Sequence, residues 1–444
     1  MSHHVTSSDI AIHGDHLDKS KVSTIKTILL IVAAAGTIVS LLALFGRLGV
    51  KFQGTYAYSW VFAYYFFLTL SIGGVFWTLL HNVSNSGWGT SVRRTFENLG
   101  STFPWIFLFG IPLVFPQVNQ FLFEWMNIHR DGLDAVAKGD AKDLKDYLHH
   151  TDHLLYNKQW FMNIPFWLGR FAFYGIGLSL VIWFLRKLST AQDTDPKPGV
   201  QRLFRARYHS TYTLIIFALT ITFTGFDFLM GQDYKWFSTM WGVYLFSGAA
   251  LNSMAVIVLI CSWLKSKGHL SHVTGPEHFH IMGKLMFAFT TFWAYITFSQ
   301  YFLIWYANIT EETSYFLIRN TGNWNIGMMC LVVFHFIVPF VVLLQAWLKR
   351  NPKYLSVVAV YTLCMHALDH YLITIPERGV SLGRIKPEVF GDITTSIPGA
   401  FWGDILAFVT IGAAFLFFIL RALGQHSLYP NRDPRILESA NISN

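Results

Sequence analysis

YLSVVAVYTLCMHALDHYLITIP, Tyr354 to Pro376, is long and apolar enough to cross a bilayer as a helix, yet it carries His366, Asp369 and His370 within two turns. An aspartate at membrane depth costs roughly 2.5 to 3.5 kcal/mol on insertion scales, so such a residue turns inward to a partner or a water-filled cavity. The stretch therefore predicts both a spanning helix and an ionisable site. The plainer alternative is a buried polar knot that ties helices together.

The rest of the chain agrees with a membrane setting. Of its 444 residues 53% are hydrophobic and only 13% charged, with 41 Phe, 19 Tyr and 16 Trp, which lies outside the soluble range. The net charge of +8 would suggest nucleic acid for a soluble domain, but the basic residues sit in short loops between apolar runs and read as topology signals, with no nucleic acid implied. Cys261, Cys330 and Cys364 all fall in apolar runs and show neither CxxC nor CxxCH spacing. The chain by itself is thus expected to bind neither an iron–sulfur cluster nor attached haem c. The tail MSHHVTSSDIAIHGDHLDKSK lacks the apolar core of a signal peptide and is expected to be disordered, although His3, His4, His13 and His16 are metal-capable.

Apolar runs of bilayer length predict about ten transmembrane helices, near 27–45, 56–80, 101–122, 164–186, 209–230, 237–264, 281–307, 326–348, 354–375 and 399–421. The Lys and Arg residues divide 19 to 12 between the two sides, with the 19 on the side of both termini, which predicts cytoplasmic termini. A polar tail over 1–26 precedes the first helix and its loop at 27–55. A first four-helix bundle follows at 56–236, including an acidic outer loop at 123–163 expected to be partly helical, then a second bundle at 237–376. A last helix and C-terminal tail fill 377–444. The tandem arrangement rests on a faint repeat: Gln120 and Trp125 match Gln300 and Trp305, and Asp227 in FDFLM matches Asp369 in LDHYL. The fold class is an all-α polytopic membrane protein, with two tandem four-helix bundles and flanking helices.

Sorting the intramembrane charges by depth, at about 1.5 Å per residue, gives a lopsided path. Asp227, Asp369, His370, Asp404 and Arg170 fall in the outer half, and His335 and His366 lie about 14 Å from the outer end. Carboxyl and imidazole groups in that pattern suit a proton relay or a quinol-oxidation site. Asp369 is the central candidate, with His366 on its helix face and Asp404 at similar depth as a partner that could share its proton. His335 and His366 at equal depth also raise paired ligation of a b-type haem, the weaker reading. Trp236, Trp241, Phe292 and Trp293 are weak candidates for stacking a quinone ring.

Three stretches carry a resemblance: GKLMFAFTTFWAYITFSQYFLIWYANITEE (283–312), TGFDFLMGQDYKWFSTMWGVYLFSG (224–248) and HFIVPFVVLLQAWLKRNPKYLSVVAVYTLCMHALDHYLITIP (335–376). They resemble the integral membrane subunits of bacterial alternative complex III, within the wider NrfD and polysulfide-reductase anchor family. YYFFLTLSIGGVFWTLLHNVSNSGWGTSVRRTFENLG (64–100) looks closer to the shorter, ActF, of the two homologous subunits than to its quinol-binding sister. The resemblance implies a place in a quinol:acceptor oxidoreductase of the bacterial plasma membrane. Menaquinol would be the substrate of the complex, with haem c and iron–sulfur clusters on partner subunits and no metal on this chain. The implied partners are the homologous quinol-binding subunit, an iron–sulfur subunit, multihaem cytochrome c subunits, a terminal oxidase and lipids. It places Asp227 and Asp369 on the family's two aspartates, but Ile281 stands where that pattern has an acid. A secondary transporter and a purely structural anchor are the competing readings. Transporter repeats usually break their helices at the site, whereas the repeat here reads as unbroken.

The topology has a direct test. Ala141→Cys in the acidic loop is expected to react with a membrane-impermeant maleimide in intact cells, and labelling only after lysis would reverse the assignment.

Overall fold

The computed structural model describes residues 4–11, 13–195, 200–390 and 400–443, and among them every regular element is helical. His3 of the tail and Lys197 of the basic tally lie outside these residues. Nine of the described helices are long and apolar enough to cross a bilayer. They are α1 (Lys19–Leu44), α2 (Val50–Ser84), α4 (Ile164–Ala191), α5 (Gln201–Phe228), α6 (Trp241–Ser266), α7 (Pro276–Ala307), α8 (Trp324–Leu344), α9 (Pro352–Ile385) and α10 (Phe401–Leu423). This is the all-α polytopic membrane protein that the apolar runs predict.

Local chemistry sets the helix ends. Asp18, Asn163 and Asn351 each accept a backbone amide from the first turn that follows, which serves a donor the helix cannot satisfy itself. Pro276 and Pro352 open α7 and α9, where a missing amide costs nothing. Asn85 and Asn308 close α2 and α7 in the left-handed conformation, at φ 48° and 51°.

The third segment differs from the single helix expected at 101–122. It begins as α3 (Arg93–Gly100) and continues as short helical pieces over Phe103–Phe107, Leu108–Val114 and Pro116–Asn119. Pro104, Pro112 and Pro116 remove amide donors and divide the run. In lipid the freed carbonyls need other donors. The Asn119 amide donates to the carbonyls of Leu113 and Val114 at 3.2 Å, Gln53 donates to that of Gln117 at 2.9 Å, and the Trp60 indole to that of Phe109 at 2.8 Å. The eighth span is also irregular, with a π-helical turn over Leu331–Ile337. The repeat is therefore not built from unbroken helices, which removes one ground for setting a transporter aside.

α2 is the hub. It packs against α3, α5, α6, α9 and α10, and its membrane-length window is 94% buried. α2, the broken third segment, α4 and α5 form one group of four, and α6 to α9 form the second. The groups meet where α6 packs on α2 and α5 and where α9 packs on α2, while α1 pairs with α10 on the flank. The acidic loop is helical over Glu124–Lys138, Leu144–Thr151 and His153–Lys158. The N-terminal tail is docked rather than disordered. Ile10 and Leu17 are buried, Asp15 pairs with His269 at 2.6 Å, and Val5 and Asn441 exchange hydrogen bonds at 2.8 Å, so both tails share one face.

Gly73 and Gly74 let the hub form. A Cβ on Gly73 would lie 2.5 Å from the Ala249 carbonyl oxygen of α6, and one on Gly74 would lie 2.8 Å from the Leu99 carbonyl carbon of α3. Overpacking of this kind costs about 1–3 kcal/mol per site, and more where backbone must move. Gly74→Val is thus expected to lower the melting temperature of the purified protein by several degrees or abolish its accumulation. Gly177→Ala on α4, with open space around it, is expected to melt as the parent does; equal melting of both variants and parent would contradict the close-packed hub.

Candidate functional site

Three buried aspartates organise three different environments. On α5, Asp227 is held by Arg170 of α4 through two hydrogen bonds of 2.6 and 2.8 Å and accepts a third from Tyr174 at 2.7 Å. The guanidinium also donates to the Phe161 carbonyl at 2.9 Å and lies 3.8 Å over the Phe161 ring. Arg170 and Asp227, both singled out in the sequence, are thus a bidentate ion pair. Beside them opens a pocket of about 270 Å³ lined by Trp125, Trp160, Met230, Trp236 and Phe237, with the Lys158 amine reaching the Tyr234 carbonyl at 2.7 Å. Burial lowers the Lys158 pKa from its ordinary value, against the pull of Asp233 and Asp152.

Asp404 of α10 accepts from Arg378 at 2.8 Å, from Ser59 at 2.6 Å and from Tyr371 at 3.0 Å. This corrects its expected proton sharing with Asp369. Tyr371 and Asp369 are two residues apart on α9, about 200° around a helix, so the two carboxyls face different partners. Similar depth had suggested a pair, but angular position separates them.

Asp369 differs from both. It is 3% exposed, and its two oxygens accept from the Tyr244 hydroxyl of α6 and, at 3.2 Å, from the Trp293 indole of α7. Among the described residues it has no ion-pair partner. Trp293 stacks in turn on His335, with ring centroids 4.0 Å apart and planes 23° from parallel. His335 sits in the π-helical turn of α8, where Pro339 has no amide to offer its carbonyl. The opened turn shows again where Tyr361 donates to the Phe334 carbonyl at 2.7 Å. Such turns recur at functional sites.

The other histidines lie on the α2 side of α9. His366 contacts the Thr69 hydroxyl at 3.3 Å and packs on Phe66, and its ring centroid is 4.4 Å from that of His370, which lies against Tyr65. Neither His335 nor His366 lines the cavity beside Asp369, and each ring is covered by an aromatic neighbour. Of the aromatic candidates, Trp236 stacks on Tyr315 at 4.1 Å, Trp241 meets both edge-on, and Phe292 packs edge-on to Phe289. One turn before Ile281, Glu277 is paired with Arg350 at 2.8 Å.

Residues that the sequence reading did not assign to the site complete it around Asp369. A cavity of about 40 Å³ lies beside the carboxyl, lined among others by Tyr244, Thr297, Gln300, Arg319 and Leu372. Arg319, on the helix Thr310–Arg319, is buried under α9. Its Nε donates to the Leu372 carbonyl at 2.9 Å, the one that Pro376 leaves without a helical donor, and its other nitrogens reach the Ile373 carbonyl at 2.5 Å and Glu377 at 2.9 Å. Pro376 therefore does not end the span: α9 runs on to Ile385, carrying Glu377 and Arg378 into the protein. The visible signal was ERG directly after the proline, since a membrane helix tolerates proline where a neighbour serves the freed carbonyl.

No family model matches the chain, and no curated protein matches it.

Arg319→Met leaves Glu377 buried without its cation and the Leu372 carbonyl without its donor. Breaking such a pair costs about 3–5 kcal/mol. The variant is expected to melt far below the parent, and the triple variant Arg319→Met, Pro376→Ala, Glu377→Gln is expected to recover part of the loss. No recovery would show that Arg319 serves some other group.

Proposed function

We propose that this chain is a membrane subunit of a quinol-oxidising respiratory assembly of the alternative complex III type, and that its own part in the reaction is to move protons. The observation that carries the reading is Asp369: a buried carboxyl held by two neutral donors, with no ion-pair partner among the described residues, at the edge of a small cavity that Gln300, Thr297 and Arg319 also line. A water occupies about 30 Å³ in the liquid, so the cavity suits water and is far too small for a quinone ring. Quinol would then be oxidised on the homologous membrane subunit, with electrons leaving through iron–sulfur and multihaem cytochrome c partners toward a terminal oxidase. The setting is the bacterial plasma membrane with both termini cytoplasmic. His366 and His370 lie on the α2 side of the same helix and His335 lies behind Trp293, while Asp227, Arg170 and Asp404 act as fixed ion pairs.

The transporter reading gains from the broken third segment. That segment's carbonyls are nevertheless taken by Asn119, Gln53 and Trp60, and the uncompensated acid lies in the other bundle. The structural-anchor reading accounts for Asp227 and Asp404 but leaves an acid without a cation unexplained.

Asp369→Asn keeps size and an acceptor for Tyr244 but cannot titrate. In vesicles holding the assembled complex, the variant is expected to lose quinol-driven proton movement by about a hundredfold, the lower range for a positioned acid–base group. Full assembly with the parent's rate and proton stoichiometry would overturn the proposal in favour of an anchor.

A further inference from the structure

On the face that carries both termini, a pocket of about 410 Å³ lies between the third segment, the end of α4 and the end of α10. Its walls are apolar and aromatic, with Trp105 and Phe418 stacked at 4.9 Å and 9°, and with Ile182 and Trp183. Its mouth is cationic, formed by Arg186, Lys187 and Arg421 with His426 beside them, and no carboxylate is among the lining residues. Among the described residues Lys187 and Arg421 have no ion pair; each is held over an indole, Lys187 on Trp183 at 4.9 Å and Arg421 on Trp105 at 5.4 Å. Arg186 is fixed by Asn98 at 2.9 Å, the Ala422 carbonyl at 3.0 Å and Gln425 at 3.1 Å, all neutral. It thereby also serves the carbonyl at the end of α10.

We infer that this pocket binds the phosphodiester headgroup of an anionic phospholipid, with the acyl chains along Ile182, Trp105 and Phe418. Three cations converge at a mouth whose lining residues include no carboxylate. Indoles and the ends of two spanning helices mark the level of the bilayer interface, where anionic headgroups lie. An apolar wall directly below the charges fits a lipid and does not fit free phosphate. This inference is independent of the proton-transfer reading, because the pocket shares no residue with the Asp369 site.

The test uses the full chain in detergent, stripped of lipid, and follows melting temperature and native mass spectra while phosphatidylglycerol or cardiolipin is added. Phosphatidylcholine and inorganic phosphate are the parallel probes. The parent is expected to retain bound anionic lipid and melt higher with it, and to show neither effect with the other two. Each basic residue near an anionic lipid contributes roughly fivefold in binding, so Lys187→Gln with Arg421→Gln is expected to weaken the lipid's effect about 25-fold. Both side chains are exposed, so the variant is expected to match the parent's melting in the absence of lipid. An equal lipid response in parent and double variant would overturn the site. A response to inorganic phosphate or to phosphatidylcholine matching that to phosphatidylglycerol would overturn the assignment to an anionic lipid.

Discussion

The close approach of three helices at Gly73 and Gly74 is the constraint on which the remaining architecture depends. In lipid the tails are as apolar as leucine, so helices gain little from burying apolar surface against one another and rely on packing and hydrogen bonds instead. Two adjacent glycines, about 100° apart around α2, open two neighbouring faces at the same level. α6 enters on one and α3 on the other, and each belongs to a different bundle. With α2 enclosed, Tyr65, Phe66 and Thr69 are carried to His370 and His366, so the hub also covers the two buried histidines of α9.

Inside that frame, charge is handled in two ways. Asp227 and Asp404 each face an arginine and a tyrosine, and Asp404 a serine as well, which spreads the desolvation of a buried carboxylate over several short bonds. Protonating either acid would strand a buried guanidinium. Protonating Asp369 strands nothing, because Tyr244 and Trp293 are neutral donors. The same arrangement that makes two aspartates structural leaves the third free to change its charge.

Much of this was legible in the sequence, for a physical reason: a charge inside a 20-residue apolar run is expensive and therefore conspicuous. That criterion found Asp227 and Arg170, though not that they pair, and Asp369, His366, His370 and His335. It also found Asp404, but depth along a helix does not give angle, and the expected partner was wrong. Tyr244 was not picked and Trp293 was named only for stacking a quinone ring, because in a chain so rich in aromatics a hydroxyl or indole donor looks the same whether it meets a carboxylate or lipid. Arg319 fell in the stretch between the spans expected at 281–307 and 326–348, and Glu377 and Arg378 were left outside a span because Pro376 was read as a stop. Whether a proline ends a membrane helix depends on a donor from elsewhere in the chain, here 53 residues away in sequence. The broken third segment escaped for the same reason, since hydropathy counts apolar residues and not the amides that three prolines remove.

The two halves show how a repeated plan can yield one fixed and one adaptable acid. In the first bundle the arginine sits on the helix beside the acid and is itself anchored by the Phe161 carbonyl and ring, so it clamps Asp227 in two places. In the second bundle the buried arginine, Arg319, comes from the short helix after α7 and is occupied by the carbonyls of Leu372 and Ile373 and by Glu377. Pro376 is what holds it there, because the proline exposes a carbonyl that must be served in a medium without water. A single proline thus helps to hold a guanidinium that lines the Asp369 cavity on the backbone and on Glu377. The cavity left between Arg319 and Asp369 is of water size, and it separates the unpaired carboxyl from the Arg319–Glu377 pair. Placed so, a water would bridge the Asp369 carboxyl to the Arg319 guanidinium, joining an acid without an ion pair among the described residues to one that already has its cation.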